Sequence, residues 1–267
     1  MPYVRIEKPI PHTTVITLDR PERMNSMAFE LVVPLHAAIE EVAADNDTNC
    51  VILTGTGRGF CSGADTQATE PPPNIEGLTL TRIATRSMTI LADLVPAVQR
   101  MPQPVICAVN GAAIGGGMCL TLAADIRLAA RSAYFRAAGI NNGLTAIELG
   151  LSFLLPRAIG SSRAFELMLS GRDVDAEEAE RIGLVSRAVA DEELMPAALE
   201  LAERINGWST QGVQLTKRLM WAGLEVGSLR AAIEMETHTQ LFIRLTTQNF
   251  EEAMRARKEG RKPEFKD

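Results

Sequence analysis

Pro104-Val105-Ile106-Cys107-Ala108-Val109-Asn110-Gly111-Ala112-Ala113-Ile114-Gly115-Gly116-Gly117 is the stretch that decides the fold. The apolar run from Val105 to Val109 has no polar alternation, as expected of a strand buried on both faces. A glycine cluster ends it, Met118 to Ala124 is compatible with a helix, and Asp125 to Ala129 reads as the next strand. Upstream, Cys50 to Thr54 is a second short apolar run, closed by Gly55-Thr56-Gly57-Arg58-Gly59. Before it, Thr14 to Leu18 predicts a strand and Asp19-Arg20-Pro21-Glu22 a break. Phe29, Leu31, Val32, Leu35, Ile39 and Val42 then recur at helical spacing. Leu78 to Arg100 predicts one long helical segment. Strands alternating with helices make this an α/β chain.

From about residue 190 the strand signals stop, and Leu194 to Ile205, Val213 to Leu224 and Leu229 to Leu245 read as helices. The expected division is a core over residues 1–195 and a helical appendage over 196–267. Thr66 to Gly77, with Pro71-Pro72-Pro73, predicts an exposed loop. No internal sequence repeat is evident.

With 267 residues, 46% hydrophobic and 22% charged, the chain can bury a substantial core. Its net charge of -6 and scattered arginines argue against a nucleic-acid binder. Apolar stretches end well short of the ~18 residues a membrane span needs, and the first residues carry no secretory apolar segment. A cytoplasmic location is expected. Cys50, Cys61, Cys107 and Cys119 lack paired spacing, so free thiols and no metal site are expected.

Two glycine-rich turns follow predicted buried strands: Gly59-Phe60-Cys61-Ser62-Gly63-Ala64-Asp65 and Asn110 to Gly117. A helix starting near Gly117 offers unpaired amides to an anion, and glycine lets a ligand approach the backbone. Two amides meeting at one oxygen can hold an enolate, and losing one such donor costs ~100- to 1,000-fold in rate. The same glycines could instead serve only tight helix–strand packing. A dinucleotide fingerprint fails on spacing, because its third glycine falls on Phe60 or Ser62, and no glycine run leads to Lys and Ser or Thr as in a P-loop.

These turns, with Arg20-Pro21-Glu22-Arg23-Met24-Asn25-Ser26-Met27, Asp125-Ile126, Gly171 to Val185 and Arg261-Lys262-Pro263-Glu264-Phe265, resemble the enoyl-CoA hydratase/isomerase (crotonase) superfamily over nearly the whole chain. The resemblance implies a crotonase-type spiral of ββα repeats (the ClpP/crotonase fold) forming two nearly perpendicular sheets. It implies a C-terminal helical trimerisation region too, and a homotrimer or dimer of trimers. An acyl-CoA thioester would be the substrate, with no cofactor beyond the coenzyme A it carries. The resemblance assigns the oxyanion donors to the amides of Ala64 and Gly116, and it places Arg23, Met24 and Ser26 along the CoA site. Asp65, Cys119 and Gly139 complete the expected substrate contacts.

Hydratases of this family use two glutamates to activate water and protonate carbon. Cys119 and Gly139 stand at those two positions here. None of the three histidines lies where it would activate Cys119, which reads as a core thiol. Glu148, nine residues before Arg157 in an otherwise apolar stretch, resembles the catalytic carboxylate of enoyl-CoA and dienoyl-CoA isomerases and of chlorobenzoyl-CoA dehalogenases. One carboxylate suffices for a 1,3-proton shift, so isomerisation of a 3-enoyl-CoA to a 2-enoyl-CoA is expected, with Glu148, Ala64 and Gly116 as catalytic groups. The alternatives are a 2-enoyl-CoA hydratase and a non-catalytic acyl-CoA-binding homologue. Dehalogenation is disfavoured by an aromatic content of only 4%. Glu148 could also cap a helix or pair with Arg157.

Overall fold

A computed structural model describes residues 3–266. The chain starts with an antiparallel pair, β1 (Val4–Ile10) and β2 (Thr13–Leu18), followed by helix α1 (Phe29–Ala43). Three strand–strand–helix units come next. The first is β3 (Cys50–Gly55), β4 (Gly59–Cys61) and the helix pair α2 (Leu80–Ala92) and α3 (Leu94–Arg100). The second is β5 (Val105–Val109), β6 (Ala112–Ile114) and α4 (Gly116–Ala123). The third is β7 (Ile126–Ala130), β8 (Tyr134–Arg136) and α5 (Leu151–Ile159). Helix α6 (Ser161–Ser170), β9 (Val174–Asp175), α7 (Ala176–Ile182) and β10 (Arg187–Val189) complete the spiral. Helices α8 (Leu194–Asn206), α9 (Thr210–Gly223), α10 (Leu229–Thr246) and α11 (Asn249–Glu259) end the chain.

In each unit the first strand joins one sheet and the second joins the other. The larger sheet runs β1-β2-β3-β5-β7-β10 and the smaller β4-β6-β8-β9. Apart from β1 with β2 and β8 with β9, every pairing is parallel. The repeat is therefore structural, carried by topology rather than by recurring residues. Strands β3 and β5 are buried along almost their full length, which is why they read as continuous apolar runs. Ile16, Leu31, Leu35, Ile52, Ile106 and Leu120 fill the space between sheet and helices. Each contributes about 1.5–3 kcal/mol by leaving water.

Two expectations change. The segment from Leu78 to Arg100 is two helices, parting at Asp93. Pro96 has no N–H to give the carbonyl four residues back, and its ring crowds that carbonyl. Helix α8, assigned to the appendage, lays Leu194, Ala198 and Ala202 inside the core against β2, β3, β5 and β7. The packed core thus extends through Ala202 on α8. Beyond it, α10 buries no residue and leaves Leu229, Ile233, Leu241, Phe242 and Leu245 exposed. No helix among the described residues is long and apolar enough to cross a membrane.

Candidate active site

The two glycine turns leave the ends of parallel neighbours β4 and β6, so they emerge side by side. A Cβ on Gly63 would lie 2.7 Å from the Ile114 carbonyl oxygen and 3.5 Å from the Gly116 nitrogen, which places one turn against the other. Gly115 has φ 54° and ψ -120°, a conformation closed to residues with a Cβ, and it turns the chain from β6 into α4.

The two amides expected to act as oxyanion donors are both unpaired among the described residues. The Gly115 N–H is taken by the Arg136 carbonyl at 2.9 Å. Gly116 is the first residue of α4, and its N–H has no hydrogen-bond partner among the described residues. In the other turn, Met27 N–H donates to the Gly63 carbonyl at 2.7 Å and Asp65 N–H to the Met27 carbonyl at 3.1 Å, forming a β-bridge between Met27 and Ala64. In the trans Gly63–Ala64 peptide, N–H and C=O point oppositely. The Ala64 N–H therefore faces away from Met27, also without a partner among the described residues.

Glu148 arrives from the loop between β8 and α5. Its Oε1 lies 3.1 Å from where a Cβ on Gly115 would stand, so the carboxylate hangs over the glycine preceding the free Gly116 amide. Leu149, at φ 43°, carries Cδ1 against Gly116. No hydrogen bond or ion pair reaches the Glu148 carboxylate among the described residues, and burial raises its pKa above the ordinary carboxylate range. Neither competing reading of Glu148 fits. Arg157 instead donates to the Phe153 carbonyl at 2.9 Å and stacks on the Phe153 ring, 3.5 Å from its centre. The Leu151 N–H at the start of α5 is held by the Glu148 main-chain carbonyl, not by its side chain.

Cys119 is fully buried, and its thiol donates to the Glu148 carbonyl at 3.5 Å. Burial, then the charge of Glu148, pushes its pKa well above the ordinary thiol value, so it stays a neutral clip on the loop. Its side chain is enclosed. Gly139 is closed more firmly, because a Cβ there would stand 1.9 Å from the Thr145 carbonyl oxygen. The loop that delivers Glu148 occupies the space a side chain at 139 would need.

Asp65 and Ser26 turn their side chains inward. The Ser26 hydroxyl donates to Asp65 Oδ2 at 3.1 Å, and Arg20 Nη1 donates to the same oxygen at 2.7 Å. Burial raises the Asp65 pKa, but the Gln67 N–H, Arg20, Ser26 and Arg23 together outweigh it and hold the carboxyl below its ordinary value. Arg23, half-buried, donates to Gln67 Oε1, and the Met24 carbonyl accepts the Ser62 N–H at 3.0 Å. Sequence reasoning passed over Asn25, which is fully buried and whose Nδ2 donates to the Thr56 and Gly59 carbonyls at 3.0 and 2.9 Å. It also passed over Arg20. The available signal was Arg20 and Asn25 bracketing the Pro21 turn, where the Arg20 N–H donates to Asn25 Oδ1 at 2.7 Å. An apolar cavity of about 490 Å³ lies elsewhere, under α9 between Leu122, Leu154, Trp208, Met220 and Trp221.

The family profile described as enoyl-CoA hydratase/isomerase matches residues 12–267. The chain belongs to the enoyl-CoA hydratase/isomerase family. A curated relative, the "Probable enoyl-CoA hydratase" of Mycobacterium tuberculosis, is 60% identical over 264 residues, 99% of this chain and 93% of its own. The crystal structure of a probable enoyl-CoA hydratase/isomerase from Mycobacterium abscessus is 56% identical, with a TM-score of 0.95, covering 99% of this chain and 98% of that one. A monofunctional enoyl CoA isomerase from M. smegmatis is 52% identical, with a TM-score of 0.75, over 87% of this chain and 99% of its own. The fold is the crotonase fold of this family, with a helical C-terminal region.

Proposed function

We propose that this enoyl-CoA hydratase/isomerase family member moves a double bond, converting a 3-enoyl-CoA to a 2-enoyl-CoA with Glu148 as its one acid–base group. The observation that carries the reading is the unpaired Glu148 carboxylate over Gly115, beside the free Gly116 amide. Glu148 takes a proton from C2, next to the thioester carbonyl. The electrons pass through the carbonyl to give a dienolate, whose oxygen accepts hydrogen bonds from the Ala64 and Gly116 N–H groups. Glu148 then returns the proton to C4, leaving the double bond between C2 and C3. Partial burial supports both steps, since a raised pKa makes a stronger base and a ready acid. Hydration needs a second carboxylate, and neither the enclosed Cys119 nor the closed Gly139 supplies one.

The same reading has the CoA moiety pass Arg23 and Met24, whose segment borders the Ala64 turn. It has the exposed apolar faces of α10 covered by other copies in a homotrimer or dimer of trimers, in the cytoplasm. The test offers the wild-type enzyme 3-enoyl-CoA and 2-enoyl-CoA thioesters, then repeats the assay with Glu148→Gln. Isomerisation should fall ~100- to 10,000-fold in the variant while acyl-CoA binding persists. Retained turnover in Glu148→Gln rejects the assignment. Wild-type hydration of 2-enoyl-CoA outrunning isomerisation would make the protein a hydratase, and tight binding with no turnover a binding homologue.

A further inference from the structure

A buried ion network adjoins Ala64, and no step of the proposed reaction uses it. Arg20 is only 6% exposed, yet its guanidinium reaches Asp65 Oδ2 at 2.7 Å, the Ser26 carbonyl at 3.4 Å and the Glu30 carboxylate, with the Tyr3 ring centre 5.4 Å away. Its Nε has no hydrogen-bond partner among the described residues, and the Glu22 carboxylate stands 3.9 Å from it. A buried charged pair with an unmet donor adds little stability compared with apolar packing of the same volume. What it does impose is geometry.

That geometry falls on the Met27–Ala64 bridge. One segment of the bridge contains Ser26 and Met27, the other Gly63, Ala64 and Asp65. Arg20 holds Ser26 on the first and Asp65 on the second, and Ser26 and Asp65 hold each other at 3.1 Å. Asp65 Oδ1 also accepts the Gln67 N–H at 2.9 Å, which fixes the chain just past the bridge. If the two segments rotate, the Met27 N–H loses the Gly63 carbonyl, and the peptide plane carrying the Ala64 N–H turns with it.

We propose that Arg20 is a positioning residue: by clamping Ser26 to Asp65 across the Met27–Ala64 bridge, it aims the Ala64 N–H at the thioester oxygen. The inference rests on Ala64 and Gly116 being the oxyanion donors, and it is independent of what Glu148 does. Lysine at position 20 keeps the charge but cannot reach Asp65, Ser26 and Glu30 together.

The experiment measures the infrared carbonyl stretch of a saturated acyl-CoA, butyryl-CoA labelled at the thioester carbon, bound to wild type, Arg20→Lys and Asp65→Asn. In wild type, two amides on the oxygen should lower the frequency relative to free butyryl-CoA. Both variants should lose much of that lowering, and kcat should fall up to ~100-fold with KM changing far less, the cost of misplacing a reacting group by about 1 Å. Thermal unfolding is followed alongside. If Arg20→Lys does not fold, Asp65→Asn, which nearly preserves shape, carries the same expectation. A wild-type carbonyl frequency in the folded variants overturns the proposal, even if Tm drops. No lowering in the wild-type enzyme overturns the oxyanion assignment itself, and this inference with it.

Discussion

Replacing Gly139 by alanine isolates the steric role of the loop that carries Glu148. Gly139 has φ -54° and ψ -44°, an ordinary helical conformation, so alanine meets no backbone objection. By the unfolded-state argument alone, the change should stabilise by about 0.4–1 kcal/mol. The structure reverses the sign. The new methyl would stand 1.9 Å from the Thr145 oxygen and 2.7 Å from its carbonyl carbon, both main-chain atoms. Thr145 must retreat by about 1 Å to reach the shortest contact real Cβ atoms tolerate. Such overpacking costs about 1–3 kcal/mol, which outweighs the entropic gain. Thr145 lies three residues before Glu148, so the retreat carries the carboxylate away from Gly115, and a displacement of about 1 Å costs ~100-fold in rate. The assay is kcat for 3-enoyl-CoA isomerisation together with Tm. Both should fall, and Gly139→Glu should fail to create hydratase activity for the same reason. A Gly139→Ala enzyme with wild-type kcat and Tm refutes the packing argument.

The acid limb of isomerisation should have a midpoint above the ~4.3 of an ordinary glutamate, because burial raises the Glu148 pKa and only the ionised form removes the C2 proton. Activity is lost as pH falls through that raised value, and a pH–kcat/KM profile, which reports the free enzyme, with its midpoint at or below the ordinary value contradicts the assignment. Lys217, 7% exposed on α9, bonds Asp125 Oδ2 at 2.9 Å and the Gln103 carbonyl at 2.9 Å. Lys217→Met should cost about 3 kcal/mol in denaturant unfolding, the low end for breaking a buried pair, since Asp125 keeps the Val105 and Trp221 donors. An unchanged midpoint would show the pair contributes nothing.

The order of strand, turn and helix was legible in the residues because those signals are local. An unbroken apolar run marks β3 and β5, helical spacing marks α1 and α8 to α10, and the glycines mark the two turns. The smaller sheet was not legible, since β4, β6 and β8 have three residues each and β9 two, too few for any period to register. The parting of α2 from α3 has its local signal in Pro96.

Sequence alone determined the chemistry on offer: two glycine turns, one isolated glutamate, and a thiol and a glycine where the family resemblance leads one to expect carboxylates. Tertiary structure decided how those groups meet, because each contact joins segments far apart in the chain. The Cys119 thiol meets a carbonyl 29 residues on, and Ser26 meets a carboxylate 39 residues on. Side-chain periodicity reports which face of its own element a residue occupies, and carries no information about which distant segment will lie against it. The closing of Gly139 by Thr145 and the clamp of Arg20 on Ser26 and Asp65 are therefore properties of the folded chain.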